Sequence, residues 1–187
     1  MKNLIAFNKP YGVICQFSPH EKHKSLKDFI NLPGFYPAGR LDTDSEGLLL
    51  LLTDDGRLQA QITDPKFKHP KTYWAQLEGV PDESRLESLR KGIDLGGFVT
   101  RPASIRILKH GEADSLWERI PPIRVRKTVP DFWIEITISE GKNRQVRRMT
   151  AKAGYPCLRL IRVASGRLKL FDLDLKPGEW AYAPFKP

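Results

Sequence analysis

Between Gly39 and Leu52 the chain reads GRLDTDSEGLLLLL, which sets Asp42, Asp44 and Glu46 at alternate positions with Arg40 just ahead of them. In an extended chain the three carboxylates would share one side. Asp42 and Asp44 would then lie ~6.8 Å apart by strand rise, a separation that suits an inverting glycosidase. A single carboxylate beside an arginine offers different chemistry, because it stays ionised at neutral pH as a nucleophile must. Acids ahead of a strand also act simply as turn formers, their side chains bonding nearby main chain. Residue types alone leave all three readings open.

Two basic tracts stand elsewhere. In GKNRQVRRMTAKAG, residues 141–154, helical spacing gathers Val146, Met149, Thr150 and Ala153 on one side. Arg144, Arg148 and Lys152 lie opposite, with Arg147 at the flank. The helix contains no acid to neutralise them, so either phosphate or plain solvent must face that side. The second tract, IRVRK, follows Pro121-Pro122 and puts Arg124, Arg126 and Lys127 in a loop, for RNA contact or solvation alike. Over the 187 residues, 31 Lys and Arg against 22 Asp and Glu leave +9, which predicts attraction to a polyanion.

Other chemistries find little footing. Neither G-x-x-x-x-G-K-[ST] nor G-x-G-x-x-G occurs, so a nucleotide cofactor is not indicated. His20 and His23 have a spacing that suits a metal, yet no cysteine or acid set completes a site, and no metal is expected. Cys15 and Cys157 are too few and too far apart for a disulfide framework, which fits a reduced cytoplasm. There is no G-x-S-x-G elbow. The start, MKNLIAFNKPYG, is no signal peptide. The apolar run Leu48 to Leu52 is far short of the ~20 residues of a membrane span. A cytoplasmic monomer without membrane contact is the expectation.

The elements that must position these residues can be read from periodicity and punctuation. Leu4 to Phe7 forms a strand and Asn8 to Gly12 a turn; a short helical piece spans Ser25 to Ile30. Leu48 to Leu52 has strand length, although uniform leucine also suits a helix. Thr53 to Gly56 opens a helix burying Leu58 and Ile62. Thr72 to Leu77 alternates, with Tyr73, Ala75 and Leu77 on one face, so by pattern Tyr73 is a core residue. Pro81 and Asp82 open a helix with Leu86 and Leu89 on one side, closed by Gly92. Ile105 and Ile107 mark a strand, and Phe132, Ile134, Ile136 and Ile138 give the clearest alternation in the chain. A helix over Asn143 to Ala153 precedes closing strands at Leu158 to Val163, Arg167 to Leu170 and Trp180 to Ala183. Hairpin-length connections outnumber crossovers. The fold class is therefore α+β, with a mixed and mostly antiparallel sheet.

Four segments then resemble, in order, the motifs of the ribosomal-RNA pseudouridine synthases that modify both subunits. They are Asn8-Lys9-Pro10-Tyr11-Gly12, Gly39-Arg40-Leu41-Asp42 with Ser45-Glu46-Gly47-Leu48, Lys71-Thr72-Tyr73, and Glu140-Gly141-Lys142-Asn143-Arg144-Gln145-Val146-Arg147-Arg148-Met149. The small ribosomal-protein-like RNA-binding domain that many members carry ahead of the first motif is not expected here. That feature, with Pro121-Pro122-Ile123-Arg124 and the Arg126-Lys127 pair, is similar to the large-subunit pseudouridine synthase E subgroup. The resemblance implies one catalytic domain over residues 1–187, two lobes around a central cleft with flanking helices. It implies isomerisation of uridine in large-subunit (23S) ribosomal RNA, with no cofactor. It also assigns roles: Asp42 as the catalytic carboxylate, Tyr73 stacked under the uracil and placed to assist proton removal, and Lys142 paired with the carboxylate. Arg40 would handle the flipped base, and apolar positions from Leu158 to Ile161 would complete its pocket. Lys71, Arg144, Arg147, Arg148, Lys152, Arg124, Arg126 and Lys127 are the expected RNA contacts. A non-catalytic RNA-binding or ribosome-assembly factor on the same fold is the alternative; it shares the charge pattern but has no use for Asp42, Tyr73 and Lys142 together.

Overall fold

A computed structural model of the chain describes residues 3–53, 55–123 and 128–184; Arg124, Arg126 and Lys127 lie outside them. Nine strands are described: β1 (Leu4–Lys9), β2 (Tyr36–Pro37), β3 (Glu46–Leu52), β4 (Lys71–Glu78), β5 (Ser104–Ile107), β6 (Asp131–Ile138), β7 (Cys157–Ser165), β8 (Leu168–Lys169) and β9 (Trp180–Tyr182). Three α-helices accompany them: α1 (Gly56–Thr63), α2 (Glu83–Lys91) and α3 (Gln145–Lys152). The chain divides into two compact units. One holds residues 1–69 and 161–187, the other 70–160.

In the first unit the leucine run is the central strand. β3 lies antiparallel to β1 from Leu4↔Leu52 to Lys9↔Gly47, and β9 lies on the far side of β1. β2 pairs with the end of β3, while its beginning takes the second half of β7 in parallel, Glu46↔Ile161 and Gly47↔Arg162. All seven β3 residues are buried. A strand covered on both faces tolerates unbroken leucine, which is why periodicity cannot separate it from a helix. The parallel step makes the sheet mixed, whereas β1–β3, β1–β9, β2–β3, β4–β6, β5–β6 and β7–β8 all pair antiparallel. α1 is capped by Asp55, whose carboxylate accepts from the Leu58 amide at 3.0 Å. Ile62 is its buried residue.

The second unit is built on an antiparallel sheet in the order β5-β6-β4, with β4 and β6 paired in full from Lys71↔Ile138 to Glu78↔Asp131. Phe132, Ile134, Ile136 and Ile138 are all buried, as the alternation predicts. Asp82 caps α2 by accepting from the Arg85 amide at 3.0 Å, and Leu86 and Leu89 are fully buried. Tyr155 anchors this core. Its ring meets Phe132 edge-on at 5.2 Å while its hydroxyl accepts from the Asp82 amide. On the opposite sheet face Trp74 donates to Glu135 at 2.9 Å. Arg106 bridges Glu135 and Glu112 there, and holds the Glu112 carboxyl down at about 2. Trp74 is buried too, so both faces of β4 are covered.

Several boundaries differ from the sequence expectation; the strand read over Arg167 to Leu170, for one, is only Leu168–Lys169. β1 runs on through Asn8 and Lys9, because Lys9 still pairs with Gly47. The piece at Ser25 to Ile30 is a single 3-10 turn, Leu26–Asp28, closed by the Asp28 carboxylate on the Ser25 amide at 2.7 Å. α3 begins at Gln145 rather than Asn143, because Arg144 takes a left-handed conformation, φ +48°.

Candidate active site

The acidic segment is not extended. The Ser45 amide donates to the Asp42 carbonyl at 3.0 Å, closing a turn over residues 42–45. Asp42, Thr43 and Asp44 are half-buried in that turn, whereas Glu46 is buried as the first residue of β3. The even alternation of three acids along one strand face is thereby lost. With it goes the strand-rise spacing on which a paired-carboxylate glycosidase reading depended.

Both neighbours of Asp42 are pinned. The Leu41 carbonyl and amide bond to the Cys15 thiol at 3.2 and 3.3 Å, and the Gly12 amide donates to the Thr43 carbonyl at 2.8 Å. Lys9 completes the support. Its side chain is fully buried, and its ammonium donates to the carbonyls of Val13 at 2.7 Å and Pro10 at 2.9 Å, with a longer contact to Thr43 at 3.5 Å. Burial pulls Lys9 down to about 8, against the opposing attraction of Cys15, Glu46, Asp44 and Asp42. Burial likewise pushes the Cys15 thiol up. Lys9 is thus a positive charge facing the acidic turn from inside the fold, while Arg40 is exposed. Sequence reasoning placed Lys9 in a turn and gave it no task. Its only signal was a lysine directly after an apolar run, which any strand-end lysine shares.

Gly47 has a steric duty at the same place. A Cβ there would lie 2.4 Å from the Arg162 carbonyl oxygen and 2.9 Å from Ile161, and its φ is +97°. Only glycine allows β7 so close to β3. Arg162 is buried and donates from Nε to the Leu48 carbonyl at 2.6 Å.

The remaining predicted residues belong to the second unit. Lys71 and Tyr73 sit on β4 opposite Ile138 and Ile136; Lys71 is half-buried and Tyr73 buried. Lys142 precedes α3 with its main chain fixed. Its amide donates to the side-chain oxygen of Gln145 at 3.0 Å, and the Gln145 amide group donates to Glu140 at 2.6 Å. Glu140 also accepts from the Arg101 amide at 2.9 Å. Gln145 and Glu140 are both buried, so this short network is satisfied internally.

The basic face of α3 is not uniform. Arg147 donates to the Cys157 carbonyl at 3.1 Å and Arg148 to the Leu95 carbonyl at 2.8 Å; both are half-buried. Arg144 and Lys152 are exposed. Two of the four basic residues expected here to contact RNA, Arg147 and Arg148, therefore spend hydrogen bonds on the protein's own backbone. Leu160 and Ile161 are buried and Leu158 is half-buried. Among the described residues no group of three or more His, Cys, Asp or Glu side chains is arranged to hold a metal, and no helix is long and apolar enough to cross a membrane.

Residues 3–152 match the family model described as RNA pseudouridylate synthase. The chain belongs to that family. This synthase is 55% identical to the "Ribosomal large subunit pseudouridine synthase E" of Xanthomonas campestris pv. campestris, over 95% of the chain and 93% of that protein. It is 52% identical to the Vibrio vulnificus protein of the same name, over 96% of the chain and 74% of the relative. A solved structure described as a pseudouridylate synthase superposes with a TM-score of 0.77 at 31% identity, covering 97% of the chain and 70% of that structure. The α+β fold with a mixed, mostly antiparallel sheet is the fold of an RNA pseudouridine synthase.

Proposed function

We propose that this enzyme isomerises specific uridines of large-subunit (23S) ribosomal RNA to pseudouridine. The observation that carries the substrate is the near full-length match to relatives named for the large subunit. In the reaction the C1′–N1 bond breaks, the uracil ring turns, and C5 joins C1′ as a proton leaves C5 and N1 gains one. There is no redox change and no energy input, so the chemistry requires neither metal nor organic cofactor. We place it in the cytoplasm and assign it a monomeric state, with the RNA as its partner.

Asp42 is the carboxylate that engages the target nucleoside, at C1′, at C6 or by removing a sugar proton. The support for choosing it over its neighbours is the turn: Leu41 and Thr43 are both tied down, Glu46 is buried in β3, and Asp44 has no motif equivalent. Tyr73 offers a ring for the uracil and a hydroxyl near the proton to be moved, and Lys142 supplies compensating positive charge. Extruding the uridine from its stack costs a few kcal/mol, which stacking on Tyr73 and phosphate contacts offset. Arg40, exposed beside the turn, handles the extruded base, and Lys71, Arg144 and Lys152 contact the RNA backbone.

The test uses ribosomal RNA carrying C5-tritiated uridine. Wild type releases tritium, Asp42→Asn releases none, and Asp44→Asn keeps most of the wild-type rate. Equal loss in both variants would remove Asp42 from its role. Binding without release by wild type would instead favour the non-catalytic factor.

A further inference from the structure

His20 and His23 have the spacing of metal ligands without the rest of a donor set, and the structure gives them other company. Residues 19–28, in the connection between β1 and β2, fold around an open cleft of about 590 Å³. His20, Lys22, His23, Lys24 and Lys27 line it, and all five are exposed. Among the described residues none of the three lysine ammoniums pairs with a carboxylate. Two acids share the cleft. Asp28 is committed to the protein, accepting from the Ser25 amide at 2.7 Å and from its hydroxyl at 3.3 Å. Glu21 alone then stands against three lysines. A concavity lined by charges of one sign concentrates their field on whatever enters it.

The cleft stands on a fixed base. The Ile14 amide donates to the Lys24 carbonyl and the Leu26 amide to the Gln16 carbonyl, each at 2.9 Å. Ile14 and Ser25 form an isolated parallel bridge, and Ser25 and Leu26 are buried. Within the loop, His20 accepts from the Lys22 amide through Nδ1 at 3.2 Å. A ring that accepts at Nδ1 carries its proton on Nε2, where it can be donated. The His23 ring lies beside it, with centroids 5.3 Å apart. The segment that closes this base also reaches the acidic turn, because the Gly12 amide donates to the Thr43 carbonyl at 2.8 Å. Gly12 and His20 are eight residues apart, so at most ~29 Å of chain separates them. One RNA molecule can therefore span the turn and the cleft.

We propose that this cleft binds the phosphate backbone of the substrate RNA, at a distance from the target uridine. Lys22, Lys24 and Lys27 neutralise backbone phosphates, and Nε2–H of His20 gives one phosphate oxygen a directional hydrogen bond. The inference rests on ribosomal RNA being the substrate. Phosphate contacts fix orientation and register without reading sequence. The contribution of the cleft is therefore to hold the RNA, and Asp42 and its neighbours keep the chemistry.

Binding of a 23S ribosomal RNA transcript is titrated at several salt concentrations, alongside tritium release as a function of RNA concentration. The combined variant Lys22→Gln/Lys24→Gln/Lys27→Gln is compared with Lys109→Gln/Lys169→Gln/Lys176→Gln, which loses the same charge from exposed positions elsewhere. The cleft variant is expected to lower the slope of log affinity against log salt by roughly 2 and to bind roughly tenfold more weakly. The RNA concentration that half-saturates tritium release rises in step. The control variant is expected to lose less than half as much slope. His20→Ala weakens binding roughly threefold with the slope unchanged, since a neutral donor displaces no counterion. Glu21→Gln removes the opposing carboxylate and tightens binding. Equal losses in the two triple variants overturn the proposal, because they mark general attraction to a basic protein. A cleft variant that binds like wild type overturns it as well. Wild type that binds the transcript but releases no tritium is a different failure, of the enzymatic reading, and the slope comparison still decides the cleft.

Discussion

At the scale of single residues, Lys9 does more for the acidic turn than the arginine that adjoins it in sequence. Its ammonium satisfies the main-chain carbonyls of Pro10 and Val13 and offsets Asp42, Asp44 and Glu46 from within the protein. Burial disfavours that charge, so the folded chain releases the proton near pH 8 while the unfolded chain keeps it to about 10.5. Across this window unfolding takes up a proton, and stability therefore rises with pH. A Lys9→Met variant lacks the titration. The stability of wild type relative to Lys9→Met is expected to increase between pH 8 and 10.5, by on the order of 3 kcal/mol. Chemical denaturation of both proteins across that range measures it. A difference that stays flat or falls would show that the ammonium is not desolvated.

At the scale of elements, α3 divides its basic residues between two tasks. Arg147 and Arg148 are bound to backbone carbonyls, whereas Arg144 and Lys152 face solvent. Counterion release depends on the phosphates that side chains neutralise. Arg144→Ala and Lys152→Ala are therefore each expected to lower the slope of log affinity against log salt by about one contact, roughly 0.7 to 0.9. Arg148→Ala is expected to leave the slope alone. Titrations of an RNA fragment at several salt concentrations distinguish these outcomes. A slope change in Arg148→Ala as large as that in Arg144→Ala would return Arg148 to the phosphate-contact set. The left-handed conformation of Arg144 at the start of the helix, φ +48°, turns the chain there and separates it from the helical periodicity of the residues that follow.

At the scale of the whole molecule, the excess of +9 governs encounter more than fit. Exposed charges attract over about a Debye length, ~10 Å at 0.1 M salt, so they act mainly on the approach of the RNA. Association with a ribosomal RNA fragment should slow steeply between 50 and 200 mM salt, with dissociation changing less; stopped-flow mixing at four or five salt concentrations would show it. An association rate indifferent to salt would leave the net charge without a part in binding.

Much of this enzyme could be read from its residues in order. The alternation of Phe132, Ile134, Ile136 and Ile138, the caps at Asp55 and Asp82, and the α+β class follow from local physics: period, turn chemistry and side-chain preference act over a few residues. The family was legible for a related reason, since its motifs are contiguous strings. Physical chemistry alone left Asp42, Asp44 and Glu46 nearly interchangeable, and the motif order made the choice. What distinguishes these acids structurally is non-local. The ties of Leu41 to Cys15 and of Thr43 to Gly12, and the approach of Arg162 to Gly47, join residues that lie tens of positions apart. The tying of Arg147 and Arg148 to the backbone carbonyls of Cys157 and Leu95 is of the same kind. Each depends on which backbone carbonyl or ring face another segment brings within a few ångströms, and only the folded chain brings those segments together.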